Sequence, residues 1–339
     1  MTHPGDDGRT EEADLGRVLR AAGRRARPAE DVERSVRAAV YAEWQCTVAM
    51  RRARRRRRVG YAAVAALGVM GVGAWLSSTR LTAPGAPIAS IERVDGEVRY
   101  AAGPLPLWRV AGERLALTVG DELRTGDGGR VALALDNGLS VRLDHGTRVE
   151  LAAEDRIVVR QGAVYIDSGA EEAGAESSLA IDTPAGTVRH LGTQYEVRLL
   201  EPGVRVRVRE GRVVLERPSD GVLRARAGEQ LTVSPDGTVE RAAVPVHGDA
   251  WQWAVAIAPA FEIDGRPLAQ FLAWASRELG REIAYATPEA QAAATRIILS
   301  GSVAGLAPEE ALNAVLATTG LRRADEDGRI VIDLRTDTN

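Results

Sequence analysis

The sequence predicts a multi-domain chain. It has short cytoplasmic helices, one transmembrane helix, a mainly-β region of solenoid-, sandwich- or barrel-like type, and a small α+β unit at the C-terminal end. Three observations carry that reading. Residues 59–76 contain no formal charge and directly follow an arginine run. From Ile91 to about Val244, short runs of alternating apolar and polar residues are separated by glycines. Beyond Trp251 and Trp253 the apolar residues return to helical spacing. A chain of 339 residues is too long for one small core, since roughly one domain per 150 residues is usual.

The formal net charge is −3, but residues 1–58 are arginine-rich and the chain beyond the apolar run is acidic on balance. The two sides therefore face different surroundings. Arginine supplies every Lys/Arg charge, a compositional bias with no chemistry attached. Cys46 is the only cysteine, so no intramolecular disulfide can form. Its place on the basic side fits a reducing cytosol.

Within residues 1–50, Leu15, Val18, Leu19 and Ala22 fall at helical spacing and end near Gly23. Pro28 opens a second pattern through Val32, Val36, Ala39, Val40 and Trp44. These short amphipathic helices bury too little to be stable alone, so they dock on a partner or fluctuate as a solvated tail.

Residues 51–58 are a basic stop: Arg51, Arg52, Arg54, Arg55, Arg56, Arg57 and Arg58. Residues 59–76 would extend about 27 Å as a helix at ~1.5 Å per residue, close to the hydrocarbon thickness of a bilayer. Tyr61 and Trp75 near its ends resemble an aromatic belt. A buried core helix is the alternative. Arginine resists translocation, so the run predicts a single pass with the N-terminus cytoplasmic and the remainder outside. The preceding region is far longer than a signal peptide's, and "RRVGYA" lacks the apolar pair of a twin-arginine signal. A membrane neighbour explains the arginines without direct nucleic-acid binding.

Residues 77–90 are small, Pro-containing and aperiodic, a linker clear of the membrane. Residues 91–245 form the β region. Val131, Leu133 and Leu135 lead into Asn137-Gly138, and Leu139, Val141 and Leu143 return on the same alternation, as in a hairpin. In "GVRVRVREGRVVLER", Val204, Val206 and Val208 face a core while Arg205, Arg207 and Arg209 face water, and Gly211 is assigned to a turn. The stretch 169–178 reads as a loop.

Residues 246–259 are a linker carrying the Trp pair. In 260–334 a helix through Pro267, Leu268, Phe271, Leu272, Ala275 and Leu279 stops at Gly280, with strand-like "EIAYA" after it. Ile297–Leu299 reads as another strand. A second helix from Pro308 carries Ala311, Leu312, Val315 and Leu316, stops at Gly320, and "RIVID" closes the unit. With "AFEID" as first strand the order is β-α-β-β-α-β, which hints at an internal duplication.

Catalytic constellations are not legible. His3, His145, His190 and His247 are scattered without a second ligand at metal spacing, and a phosphate loop would need a lysine. Asp121, Glu122, Asp127 and Asp136 stand beside turn glycines, where they stabilise bends. No metal, nucleotide or other cofactor is expected, and no conventional enzyme.

The blocks "VGDELRTGDGGRVALALDNGLSVRLDHGTRVEL", "QGAVYID", "IDTPAGTVRHLGTQYEVRL" and "VRVREGRVVL" together resemble the FecR family over about residues 90–244. Residues 260–333 resemble the short N-terminal domain of secretins and TonB-dependent proteins. The resemblance implies a single-pass inner-membrane regulator whose partners are a cytoplasmic sigma factor and the periplasmic part of an outer-membrane receptor or another envelope protein. Residues 1–50 do not reproduce the family's longer Trp-containing sigma-binding pattern, and Tyr195 stands where the family usually has Phe.

The resemblance also implies self-cleavage at the Gly-Thr bond of one block, here Gly192-Thr193. The chemistry needs a strained peptide whose carbonyl is attacked by the following hydroxyl, giving an ester that water opens. The alternative is an unreactive bulge in a buried strand. The rival to signalling as a whole is a membrane-tethered envelope scaffold or glycan-binding module without sigma-factor regulation.

Overall fold

Apolar alternation and turn chemistry determine the 130–143 region as the sequence requires. In the computed structural model, Arg130–Leu135 pairs antiparallel with Ser140–Leu143, placing Val131 opposite Leu143 and Leu133 opposite Val141. Gly138 supplies the positive φ of the turn at +84°, and the Asn137 side chain accepts from Leu139 N–H. Val131, Leu133, Leu135, Leu139, Val141 and Leu143 are all buried. At roughly 1.5–3 kcal/mol for each fully buried Val or Leu, that alternation outweighs any competing register.

The structure describes residues 85–103, 107–169, 179–217 and 221–335. The helices expected in 1–50, the arginines Arg51–Arg58, the apolar run 59–76 and most of the 77–90 linker lie outside the described residues, as do residues 170–178 of the expected loop. Among the described residues no helix is long and apolar enough to cross a membrane. The described residues all belong to one compact unit.

Among the described residues the β region holds sixteen strands in one sheet. In chain order they begin with β1 (Ala89–Asp95), β2 (Val98–Ala101), β3 (Arg109–Val110), β4 (Ala116–Leu117), β5 (Glu122–Thr125), β6 (Arg130–Leu135), β7 (Ser140–Leu143) and β8 (Arg148–Ala153). They continue with β9 (Arg156–Gln161), β10 (Ala163–Asp167), β11 (Ala180–Thr183), β12 (Gly186–Leu200), β13 (Gly203–Arg217), β14 (Gly221–Arg226), β15 (Glu229–Val233) and β16 (Val239–Ala243).

The order β3-β2-β5-β8-β9-β11-β12-β10-β7-β6-β1-β4 puts β12 in the middle, and β13 pairs along its length. The first half of β12 carries the arm through β11 and the second half carries the arm through β10. Inward side chains from both arms form one apolar cluster, including Val98, Leu123, Val149, Ile157 and Val188 from one and Ile91, Leu133, Val141, Ile166 and Val197 from the other. A strand shared by two arms must bend, and β12 does so at Gly192. The expected turn at Gly211 is corrected here: β13 runs unbroken from Gly203 to Arg217, and the positive φ of Gly211 serves its bend opposite Gly192.

The C-terminal unit differs from the expected β-α-β-β-α-β order. After a short helix α1 (Gln252–Ala256) come α2 (Leu268–Leu279), β17 (Ile283–Tyr285), α3 (Pro288–Arg296), α4 (Pro308–Ala317), β18 (Leu321–Glu326) and β19 (Arg329–Leu334). Helix α2 stops at Gly280, whose φ of +61° is the left-handed cap expected of it. "AFEID" is not a strand: Phe261 packs on Phe271 and Trp274, with ring centroids 6.0 and 5.8 Å away. Ile297–Leu299 joins neither sheet but pairs antiparallel with the residues before α2: Leu268 N–H donates to Ile297 O and Leu299 N–H to Arg266 O, each at 2.8 Å, about the Ile298–Pro267 bridge. Helix α3 buries only Ala290 and Ala294, too faint an apolar stripe to read. Strand β18 buries only Leu321 and otherwise carries mostly polar residues. The sheet order is β17-β19-β18, with the three longer helices sharing its core.

Candidate functional site

Two residues of β12, Gly192 and Thr193, stand against one residue of β13, Gly211, because the pairing passes from Leu191–Arg212 directly to Gln194–Glu210. This is a β-bulge, which bends a strand and re-aims its side chains. Gly192 takes φ +58° and Gly211 takes +74°. A Cβ on Gly211 would lie 2.2 Å from Gly192 O and 2.6 Å from Thr193 Cγ2, so only glycine permits this approach.

Thr193 is wholly buried while Gly192, one residue earlier, is exposed. Ser168 follows the last residue of β10 and faces Thr193. Its backbone N–H donates to Thr193 O at 3.1 Å, but Thr193 N–H donates to the Ser168 hydroxyl Oγ at 2.8 Å. A regular narrow pair would exchange both bonds between backbones, so the bulge has diverted one donor to a side chain.

Three buried polar atoms close by have no hydrogen-bond partner: Thr193 Oγ1, His190 Nδ1 and the Tyr195 hydroxyl. A buried polar group without a partner costs about 1–3 kcal/mol. The His190 and Tyr195 rings lie 5.5 Å apart, and His190 Nε2 accepts from Leu179 N–H at 3.3 Å. Burial pushes the His190 imidazole down and the Tyr195 phenol up.

The opposite face of β10 meets the C-terminal unit. Its five residues are all buried, Tyr165 pointing away from the main core to pack on Trp251 and Trp253, with ring centroids 6.1 and 6.4 Å distant. Burial, chiefly, pushes the Tyr165 phenol up to about 12. Arg142 of β7 stacks over that ring at 5.1 Å and pairs with Glu278 of α2 through bonds of 2.8 and 2.7 Å. Arg277 donates twice to Asp167 Oδ1, at 3.0 and 2.5 Å, and Gln194 donates to Asp167 Oδ2 at 2.8 Å. Burial alone would raise the Asp167 carboxyl, but Arg277 and Arg142 outweigh it and hold it below the usual carboxylate range. Asp167 precedes Ser168 and Gln194 follows Thr193, so the ion pairs of the C-terminal unit brace both sides of the bulge.

Arg209 corrects the expected wet face of β13. It is buried, donating to Val246 O at 2.7 Å and to the Tyr165 hydroxyl at 3.3 Å. Arg205 and Arg207 stay half-buried around Glu196, which also accepts from the Trp253 indole at 2.8 Å. The alternation was right, but a second unit covers the face it left outward.

Of the residues singled out in the sequence, Gly192, Thr193 and His190 come together at the bend. His145 pairs with Asp144 elsewhere, at 2.9 Å, and Asp121 accepts from Thr118 N–H as a turn carboxylate does. Among the described residues no three His, Cys, Asp or Glu are grouped to hold a metal ion. Arg51–Arg58 lie outside the described residues. Arg142, Tyr165, Asp167, Ser168, Glu278 and Arg277 were missed. The readable signal was "AVYID", apolar at consecutive positions and so a strand buried on both faces.

Comparison with known proteins gives three findings. The family described as FecR protein matches residues 121–214, from just before β5 to within β13. Two crystal structures titled "putative anti-sigma factor" from Parabacteroides distasonis ATCC 8503, at 2.50 and 1.65 Å resolution, are similar at 21% and 22% identity. They cover 63% and 62% of this chain and 99% and 97% of their own, with a TM-score of 0.33 in each case. No curated protein matches the chain.

Proposed function

Taking the FecR domain at residues 121–214 as the premise, we propose that the chain is an anti-sigma regulator. It spans the inner membrane once through residues 59–76, holds residues 1–50 in the cytoplasm against a sigma factor, and exposes the β and C-terminal units to the periplasm. The FecR match is the observation that carries this reading. The arginine run before an uncharged stretch supports the orientation.

A ligand shifts only states that it binds differently. The docked arrangement of the C-terminal unit on β7, β10 and β12 is one such state, and a periplasmic protein that takes hold of the unit by adding a strand to its small sheet would favour another. A resemblance of residues 260–333 to the secretin and TonB short domain supports that mode.

Deleting 248–339 should abolish response to the periplasmic partner while residues 1–50 still govern a defined gene set. Replacing 1–50 by an unrelated soluble sequence should remove that control. If the replacement leaves transcription of every gene set unaltered, the regulatory reading fails and an envelope scaffold takes its place. Protease added to intact spheroplasts should digest the chain beyond Ser78 and spare the N-terminal tag.

Within this reading the Gly192-Thr193 bond cleaves itself. Thr193 Oγ1 attacks the Gly192 carbonyl carbon, the C–N bond breaks, and the acyl group moves from nitrogen to oxygen as an ester. Water then opens the ester, leaving a Gly192 carboxylate and a Thr193 amine. The bulge, the unpaired Thr193 hydroxyl and the exposure of Gly192 support it. Wild-type chain should appear as fragments 1–192 and 193–339, and Thr193→Ala as one band.

A further inference from the structure

Transfer of an acyl group off nitrogen stalls unless that nitrogen gains a proton, because an amide anion is too poor a leaving group to depart. We propose that Ser168 is the catalytic residue that supplies it, an inference that rests on cleavage at Gly192-Thr193. Ser168 Oγ lies 2.8 Å from Thr193 N, the atom that must leave. The 3.1 Å bond from Ser168 N–H to Thr193 O fixes that approach from the backbone.

In the intact chain the hydroxyl accepts from the Thr193 N–H, so its own proton is not used in that bond. Once Thr193 Oγ1 has attacked, the nitrogen is pyramidal, inverts readily and turns its lone pair toward Oγ. Ser168 Oγ–H then passes its proton to nitrogen as the C–N bond breaks. Thr193 Oγ1 loses one proton as it attacks and Thr193 N gains one from Ser168 Oγ, so return of the Thr193 proton to Ser168 Oγ balances the transfer before the ester meets its hydrolytic water. The relay needs no group beyond water and the two hydroxyls.

A bulge by itself does not demand a hydroxyl at 168. A backbone donor diverted at a sheet bend can be satisfied by a backbone carbonyl or by water. Here a side chain with a transferable proton takes the bond. Its chain neighbour Asp167 has its carboxylate bound by Arg277 and Gln194, so Ser168 stands between a braced residue and the scissile one.

The test uses the full chain tagged at both ends and purified in mild detergent, with fragment appearance followed by gel and by mass. Ser168→Thr and Ser168→Val have nearly the same shape and differ in the hydroxyl. The Thr variant should cleave at close to the wild-type rate and the Val variant about a hundredfold more slowly, the range of a lost general acid. Added hydroxylamine should speed cleavage of wild type, where an ester accumulates, and leave the Val variant slow, since its ester forms slowly. Equal rates for Thr and Val, whether fast or slow, would overturn the role of Ser168 while leaving cleavage standing. A wild-type chain that stays intact even with hydroxylamine would overturn the cleavage reading and this role with it.

Discussion

Arg142 and Glu278 are 136 positions apart in the chain and meet in a two-bond ion pair with both side chains almost fully buried. A third bond, from Arg142 to Ala254 O at 2.9 Å, ties the same guanidinium to α1. Burial opposes the Arg142 charge, yet Glu278 outweighs it and keeps the arginine firmly protonated. The pair joins the sixteen-stranded sheet to the unit that follows it.

Because neither ion is left to water, removing one strands the other. Glu278→Gln or Arg142→Met should each destabilise the docked unit by about 3–5 kcal/mol, whereas Arg142→Met combined with Glu278→Leu should recover most of the loss. Urea unfolding read by Trp emission measures all three. Additive losses in the double variant would mean that the two side chains act independently.

Asp167 makes the docking sensitive to acid. Its folded value lies below the ordinary carboxylate range, so folding is favoured fully above about pH 4, the unfolded value. As pH falls from there through the folded value, the unfolded chain binds more protons and the stabilisation is lost. Stability should therefore drop as pH falls below about 4, and Asp167→Asn should flatten that limb in part, because Asp144 and Asp182 are also held low. An unchanged limb in the Asn variant would remove Asp167 from the account.

His190 acts in a separate window. Burial lowers its folded value beneath about 6.5, so the unfolded chain protonates first as pH falls. Its contribution is complete above about pH 6.5 and declines as pH falls toward the folded value. His190→Phe, which keeps the ring beside Tyr195, should lessen the fall in stability as pH drops below about 6.5. Equilibrium unfolding at half-unit steps checks this, and an undiminished slope would count against it.

Local patterns in the sequence carried far. The Asn137-Gly138 hairpin, the Val204-Val206-Val208 face and the Gly280 helix stop each follow from short-range physics and occur as read. What was lost depends on long-range partners. Arg209 reads as a solvent residue until Val246 and Trp251 cover it. Gly211 reads as a turn because positive φ looks alike in a reversal and a bend, and only the approach of Gly192 tells them apart. The Gly192-Thr193 bond was legible through resemblance alone, and Ser168, 25 positions away, was not legible at all. Helix α3 escaped because alanines stabilise a helix while giving little apolar contrast.

The bend itself is the last test, since the proposed chemistry depends on its geometry. Gly211→Ala places a methyl 2.2 Å from Gly192 O at a φ of +74°, whereas Gly120→Ala meets nothing within 4 Å at a φ of +90°. Both variants carry the left-handed penalty, on the order of 1 kcal/mol. Only the first must also push the Gly192-Thr193 peptide aside, because the obstructing atom belongs to backbone. Gly211→Ala should therefore lose at least about 2 kcal/mol more stability than Gly120→Ala in urea unfolding. Its rate of fragment appearance should shift while that of Gly120→Ala stays at the wild-type value. Equal losses in the two variants would mean that β12 and β13 can separate at the bulge at little cost, and that the close approach of Gly211 does not hold the Gly192-Thr193 peptide in place.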